Sequence, residues 1–211
     1  MLYCYPDKIT DELIEVFKTN PRVLKYIDLP IQHISDHMLT AMNRHGDSAL
    51  IRSVVKKLRE VPDMIIRTTV IVGFPGETEE DFTELCEFVK EARFDRLGAF
   101  TYSREEDTPA YDFDDQIDEQ VKQDRYDIVM RTQGDITEEQ NESMIGKKLT
   151  VLCEDYDPVS ETYYGRSAND APEIEGKVYF RAPKKSVEPG EFVKVKITEA
   201  VDYDLVGDKV K

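Results

Sequence analysis

Apolar residues along this chain follow two different periods. Up to Tyr102, short unbroken apolar runs alternate with stretches whose apolar positions recur every three or four residues, the pattern of parallel βα units. Leu2 to Tyr5 reads as a short, truncated strand. Thr10 caps a helix presenting Leu13, Ile14 and Phe17, and Tyr26 to Leu29 is a strand stopped by Pro30. Ser35 opens a short helix through Met38, Leu39 and Met42. Asp47 or Ser48 opens another with Leu50, Ile51, Val54, Val55 and Leu58 facing the core. Ile65 to Val72 is the next strand, Phe82, Leu85, Cys86, Val89 and Ala92 mark the helix after it, and Leu97 to Tyr102 is a fourth strand. From Gly146 the period falls to two. Leu149 to Val151, Tyr163-Tyr164, Val178 to Phe180, Phe192 to Ile197 and Tyr203 to Val206 predict five short strands, with turns at Asp157-Pro158, Ala171-Pro172 and Glu188-Pro189-Gly190. Such a series predicts a small antiparallel barrel close to the OB type.

Charge separates these halves further. The chain carries a net charge of -16, and residues 146 to 211 hold thirteen acids against eleven bases, so -2 belongs to the barrel and -14 to the remainder. Arg104 to Glu142 holds fourteen acids against four bases and ends in a helix marked by Ile117, Val121, Ile128 and Ile136, which reads as a connector. This balance opposes a surface built to neutralise a nucleic-acid backbone and favours a basic protein partner. Three cysteines, Cys4, Cys86 and Cys153, stand far apart with no C-x-x-C pair, as in a protein of the reducing cytoplasm. No apolar run approaches the roughly 18 residues of a membrane span.

The most informative stretch is Ile71 to Phe82, where an apolar strand enters a Gly73-Phe74-Pro75-Gly76 turn and then a helix whose Thr78 and Asp81 fit a capping box. Ligands bind α/β proteins at such strand-to-helix turns. Thr78, Glu79, Glu80 and Asp81 already occupy the positive helix pole, which disfavours a phosphate and favours a nucleoside-like ligand; the alternative is a tight packing turn. Gln32 and His33, at the end of a strand, read either as polar groups of a pocket or as local hydrogen-bonding groups. Arg67, inside an otherwise apolar strand, requires an anion, and an ion pair serves as well as a ligand. His33 and His37 have an i, i+4 spacing, but Pro30 and the Ser35 cap put His33 before the helix and no third ligand is adjacent, so metal binding is disfavoured. His45 beside Gly46 reads as a favourable helix end. No Ser-His-Asp order and no Walker loop is found.

Several blocks resemble the bacterial radical S-adenosylmethionine methylthiotransferases. They are Tyr26 to His33, Met42-Asn43-Arg44, Arg67 to Thr78, Phe100 to Ser103 and Asp107 to Ala110, while Gly165-Arg166-Ser167 and Asp170-Ala171-Pro172-Glu173-Ile174 resemble the family's C-terminal TRAM domain. Gln32-His33, Glu105-Glu106 and the Asp-Ala-Pro-Glu-Ile run lean toward the branch acting on small-subunit ribosomal protein twelve, over the branch acting on tRNA adenosine. The resemblance implies S-adenosylmethionine and two 4Fe-4S clusters as cofactors of the parent protein. One cluster would cleave S-adenosylmethionine to a deoxyadenosyl radical and the other help deliver sulfur, so that a methylthio group replaces a hydrogen on an aspartate β-carbon. The C-x-x-x-C-x-x-C motif is missing, and Cys4, Cys86 and Cys153 match no ligand position of the family.

The resulting expectation is an α/β chain, a C-terminal fragment by comparison with the family: a truncated half-barrel over residues 1 to 133, a helical connector over 134 to 143, and an OB-like TRAM barrel over 144 to 211. Gln32, Arg67, Gly73, Phe74, Pro75, Gly76 and Glu77 are expected to line the adenosyl side of the cofactor site, and the TRAM domain and acidic surface to dock the ribosomal protein. A tRNA-modifying enzyme and a non-enzymatic acidic interaction protein are the competing readings.

Overall fold

A computed structural model describes residues 1–172 and 176–211. Glu173 and Ile174, the end of one of the blocks above, lie outside the described residues. The chain divides into two compact units, Met1–Ile136 and Thr137–Lys211.

In the first unit, α1 (Asp11–Thr19), β1 (Tyr26–Asp28), α2 (Asp36–Ala41), α3 (Ser48–Arg59), β2 (Ile65–Val72), α4 (Glu79–Ala92) and β3 (Arg96–Thr101) follow one another in βα order. The three strands are parallel, in the order β1-β2-β3, with Ile27 opposite Ile66 and Val70 opposite Ala99. Strand β2 shows why. Ile66, Thr68, Val70 and Val72 are buried, and the three aliphatic residues among them pack with Ile51, Val54, Leu58, Leu85 and Val89 of α3 and α4; Arg67, Thr69 and Ile71 point to the opposite, more open face. Helix starts follow the sequence signals: Thr10 Oγ1 accepts from the Leu13 amide, Asp47 Oδ1 from that of Leu50, and Thr78 with Asp81 forms a complete capping box.

Two expectations need correction. Leu2 to Tyr5 is not a strand. The Cys4 amide donates to Asp28 O and the Asp28 amide to Met1 O, so the segment runs beside β1, but Tyr3 has φ 57° and this left-handed residue interrupts the ladder. The sheet therefore has three strands among the described residues, where four were predicted.

The second correction concerns α5 (Glu119–Glu142), the helix within which the division between the units falls. Of the residues that mark this helix in the sequence, Ile136 is buried, but Val121 and Ile128 are 36% and 45% exposed. The buried positions of its first five turns are Lys122, Arg125, Val129, Gln133 and Ile136. An apolar pattern misses this face because two of its anchors are cations, Arg125 held by Glu77 and Glu79 and Lys122 by Glu119 and the Tyr102 ring.

The second unit is a closed barrel of β4 (Lys148–Asp157), β5 (Thr162–Arg166), β6 (Val178–Arg181), β7 (Phe192–Val201) and β8 (Asp204–Val210), in the order β4-β5-β6-β8-β7. Inward residues of period two, Val151, Cys153, Tyr163, Val178, Phe180, Val193, Val195 and Ile197, form its core, with the Tyr163 ring stacked on Phe180. All pairs are antiparallel except β6-β8, which is parallel. Five strands in a ring cannot alternate direction all the way round, so closing the barrel requires one parallel pair. Gly165 sits where β5 crosses β4, and a Cβ there would run into the Leu152 carbonyl.

The register of α5 is open to test by two adjacent substitutions. Val129→Ala should lower unfolding free energy by roughly 1.5–3 kcal/mol, whereas Ile128→Ser should change it by less than about 0.5 kcal/mol in denaturant titrations; the reverse order would restore the register predicted from sequence.

Candidate functional site

The C-terminal ends of the parallel strands carry an open cleft of about 400 Å³, lined by Gln32, Met42, Asn43, Arg44, Ile71, Phe74, Thr108 to Ala110 and Phe113. A hollow of about 150 Å³, formed by Tyr3, Cys4, Tyr5 and Pro30, shares Gln32 and Arg44 with it. This is where an open parallel sheet presents ligand-binding turns.

Gln32 extends the β1 path past Pro30. Its amide donates to Thr69 O and its carbonyl accepts from the Ile71 amide, at 2.9 and 2.8 Å. Its φ is +67°, and its side-chain Oε1 is buried without a hydrogen-bond partner. Gln32 thus combines a costly backbone region with an unsatisfied buried acceptor at a cleft wall. Asn43 is also left-handed, at φ 53°. Arg44 donates to Pro30 O at 2.8 Å and lies 4.4 Å from the Tyr5 ring centroid, which fixes its stem across the hollow.

The turn Gly73 to Gly76 forms the neighbouring wall. Gly73 (φ 71°) is doubly constrained, since a Cβ would also run into the stem of the buried Lys122. Phe74 packs edge-on against Tyr102 and Phe113, with centroids 5.0 and 6.1 Å away, and Pro75 is buried. Gly76 (φ 82°) donates its amide to Asp115 O at 2.8 Å, drawing the acidic segment after β3 toward the turn.

Glu77 is placed differently. Its side chain is 0% exposed and both oxygens are engaged: Oε2 accepts from the Gly73 amide at 2.7 Å and from Arg125 Nη1 at 2.5 Å, and Oε1 lies 3.0 Å from His33 Nε2. The Ser35 amide donates to His33 Nδ1, so Nε2 carries the hydrogen and donates to Glu77. Arg125 also donates to Glu77 O at 3.1 Å and to the Glu79 carboxylate. Glu77 therefore shapes the turn from behind. Arg67 lies four residues, or about 13 Å, down β2 from Ile71. Its Nη1 donates to the buried Asp28 carboxylate at 2.7 Å, and Asp28 also accepts from the Tyr3 amide.

Of the seven expected residues, Gln32 and Phe74 line the cleft and Gly73, Pro75 and Gly76 form its turn; Arg67 and Glu77 sit elsewhere. Asn43, Arg44, the Thr108 to Ala110 segment and Phe113 were missing from that set. Periodicity could not supply them, because they lie in irregular backbone brought to the cleft by tertiary packing, although Met42-Asn43-Arg44 and Asp107 to Ala110 stood among the resembling blocks.

A second polar cluster, partly buried, lies at the start of α4. Asp81 accepts from the Ser35 hydroxyl, from the Thr78 amide and hydroxyl at 3.0 and 2.8 Å, and from His37 Nδ1 at 3.1 Å. Burial pushes this carboxyl upward, but the bonds from Ser35, Thr78 and His37 outweigh it and hold Asp81 well below its ordinary value. Both histidines of the i, i+4 pair are thus spent on carboxylates. Among the described residues no three His, Cys, Asp or Glu side chains converge on a metal position. Burial raises the thiols of Cys4, Cys86 and Cys153, and no two share a ligand spacing, so these residues do not fit a 4Fe-4S cluster.

Residues 2–89 match the Radical SAM superfamily, and residues 145–210 match the TRAM domain. The chain therefore joins radical SAM barrel elements to a TRAM barrel. The ribosomal protein uS12 methylthiotransferase RimO of Clostridium botulinum (strain Eklund 17B / Type B) is 51% identical over 208 residues, covering 98% of this chain and 46% of that protein. The protein of the same name from Geobacter sulfurreducens is 50% identical over 210 residues, covering 99% and 46%. The chain belongs to this RimO family of methylthiotransferases and spans about half the length of these relatives. Among solved structures, the radical SAM enzyme coproporphyrinogen III oxidase (HemN) from Escherichia coli aligns with a TM-score of 0.49 and 22% identity over 64% of this chain and 31% of that one.

The Asp81 cluster has a pH signature. A carboxyl with a depressed folded value contributes stability that is complete above its ordinary value of 3.8 and is lost as pH falls toward the depressed one. Thermal melts from pH 5 down to pH ~2.5 should thus show a loss in the wild type that is reduced in Asp81→Asn, and Asp81→Asn should cost roughly 1–3 kcal/mol at neutral pH.

Proposed function

We propose that this chain is the cofactor-facing wall and substrate-docking part of an enzyme that transfers a methylthio group to the β-carbon of an aspartate in ribosomal protein uS12. Identity near 50% that runs through both units, to relatives named for that reaction, is the observation that carries the reading. The wall is assigned to residues 1–133, the connector to 134–143 and the docking barrel to 144–211. Its site is cytoplasmic, where ribosomes are; no helix among the described residues is long and apolar enough to cross a membrane.

The cleft suits S-adenosylmethionine in the chemistry of its groups. Gln32 Oε1 offers an acceptor to an amine or a hydroxyl, Ile71, Met42, Phe74 and Phe113 offer apolar cover, and the bare backbone at Gly73 and Gly76 allows close approach. When bound and reduced through an iron-sulfur cluster, S-adenosylmethionine supplies the radical that removes a hydrogen from the target carbon. Gln32 and Arg44 would orient the bound molecule and the Phe74, Tyr102 and Phe113 rings would keep water from one side of it. The parent protein is taken to use two 4Fe-4S clusters, whose cysteine ligands must lie outside this sequence, and this chain alone is expected to turn nothing over. A basic substrate suits the -14 carried outside the barrel.

Mass analysis of uS12 from cells lacking their own methylthiotransferase tests the reaction. Supplying the intact gene should add one methylthio group to a uS12 aspartate, and supplying residues 1–211 should add none. Modification of tRNA adenosine with unmodified uS12 would transfer the chain to the other branch. For the wall, Gly76→Val should weaken S-adenosylmethionine binding by the intact protein roughly tenfold or more in calorimetry, because a β-branched residue does not tolerate φ 82°. Unchanged affinity would remove the turn from the site.

A further inference from the structure

The Glu77 carboxylate touches both segments that form the cleft wall. Through the Gly73 amide it holds the start of the Gly73–Gly76 turn, and through His33 Nε2 it holds the residue next to Gln32, which lines the cleft with a left-handed backbone. One fully buried anion thus ties the Gly73 amide to His33, adding to the backbone bonds by which Gln32 already joins Thr69 and Ile71. That anion is itself held from the far side. Arg125 Nη1 donates to Glu77 Oε2 and to Glu77 O, and its guanidinium lies 5.3 Å from the Phe82 ring centroid, with only 6% of its side chain exposed. One turn earlier on the same helix, Lys122 is 2% exposed, fills the space that a Gly73 side chain would need, and places Nζ 5.3 Å from the Tyr102 ring.

We propose that Arg125 and Glu77 are positioning residues for the cofactor site: neither touches the bound molecule, and together they set the distance between Gln32 and the Gly73–Gly76 turn that must grip it. The proposal rests on the reading that this cleft takes S-adenosylmethionine. Buried charge suits the role for a physical reason. An apolar contact slides at little cost, whereas a carboxylate engaged by one guanidinium, one amide and one imidazole has one low-energy position, because any displacement leaves a buried charge unsatisfied. Side chains that orient ligand-contacting groups in this way change affinity without contact.

The test uses the ¹⁵N-labelled intact protein titrated with S-adenosylmethionine, following the Gly73 and Gly76 amide signals. In the wild type both signals should move saturably. Arg125→Met should displace the Gly73 signal before any ligand is added and raise the dissociation constant roughly tenfold to a hundredfold, with Arg125→Lys between the two. Arg59→Met serves as the stability control, since Arg59 pairs with Asp95 at 2.7 Å without contacting the cleft; it should lower the melting temperature and leave the dissociation constant unchanged. Failure of the wild-type signals to respond overturns the cofactor reading itself. A wild-type response with equal affinity in Arg125→Met, or a loss in Arg59→Met as large as in Arg125→Met, overturns the positioning role and leaves the cofactor reading intact. Should Arg125→Met fail to fold, Arg125→Lys and Glu77→Gln decide by the same comparison.

Discussion

The first unit depends on the burial of one carboxylate. Taking Glu77 out of water carries an effective penalty of several kcal/mol, and the position is viable only because Arg125, the Gly73 amide and His33 all reach it. Each donor comes from a different place: α5, the strand-to-helix turn, and the continuation of β1. The ion pair is weak evidence for net stability, since an apolar replacement of matching shape can do as well. What it contributes is geometry, for the three segments must arrive together or the charge is left without partners.

Around that point the unit is organised in layers, from an apolar core through polar clusters to an open cleft. The aliphatic face of β2 packs with α3 and α4, and this core is indifferent to chemistry. Above it, two polar clusters at Glu77 and Asp81 fasten the helix α4 start to the β1 continuation through His33, Ser35 and His37. The outermost layer is the cleft, where Gln32 is held in a left-handed conformation that its side chain disfavours and Asn43 in one that its side chain tolerates. Backbone of this kind persists where its surroundings overdetermine it, and here the surroundings are the two polar clusters beneath.

The barrel shows a different economy. Its core is built by simple alternation and its special positions are steric: Gly165, which lets β5 pass the Leu152 carbonyl, and the parallel β6-β8 pair that an odd ring requires. On its outer face Lys148 stands opposite Lys196, and Lys194 lies in the neighbouring row. Asp208 of β8 stands opposite Lys196 on its other side, so the strands carry both signs there, in keeping with the barrel's -2 of the chain's -16.

Much of this was legible along the chain, and the boundary of what was legible is physical. The strands β2 and β3, the five barrel strands, the caps at Thr10, Asp47 and Thr78, and the glycine turn are local features, decided by side-chain period and by hydrogen bonds within a few residues. The resembling blocks carried the family, since they record which residues recur together. Three things escaped. The broken ladder at Tyr3 depends on one backbone angle; the inner face of α5 depends on Lys122 and Arg125, which look solvated in a sequence and are buried because Glu77, Glu79 and Gly73 meet them. The separation of Glu77 and Arg67 from the cleft was equally invisible. Composition and period determined that this chain would form a βα sheet and a small barrel, because burial of apolar side chains is additive and local. Only the tertiary structure decided which charged residues lie inside, because a charge can be buried only where the rest of the fold delivers its partners.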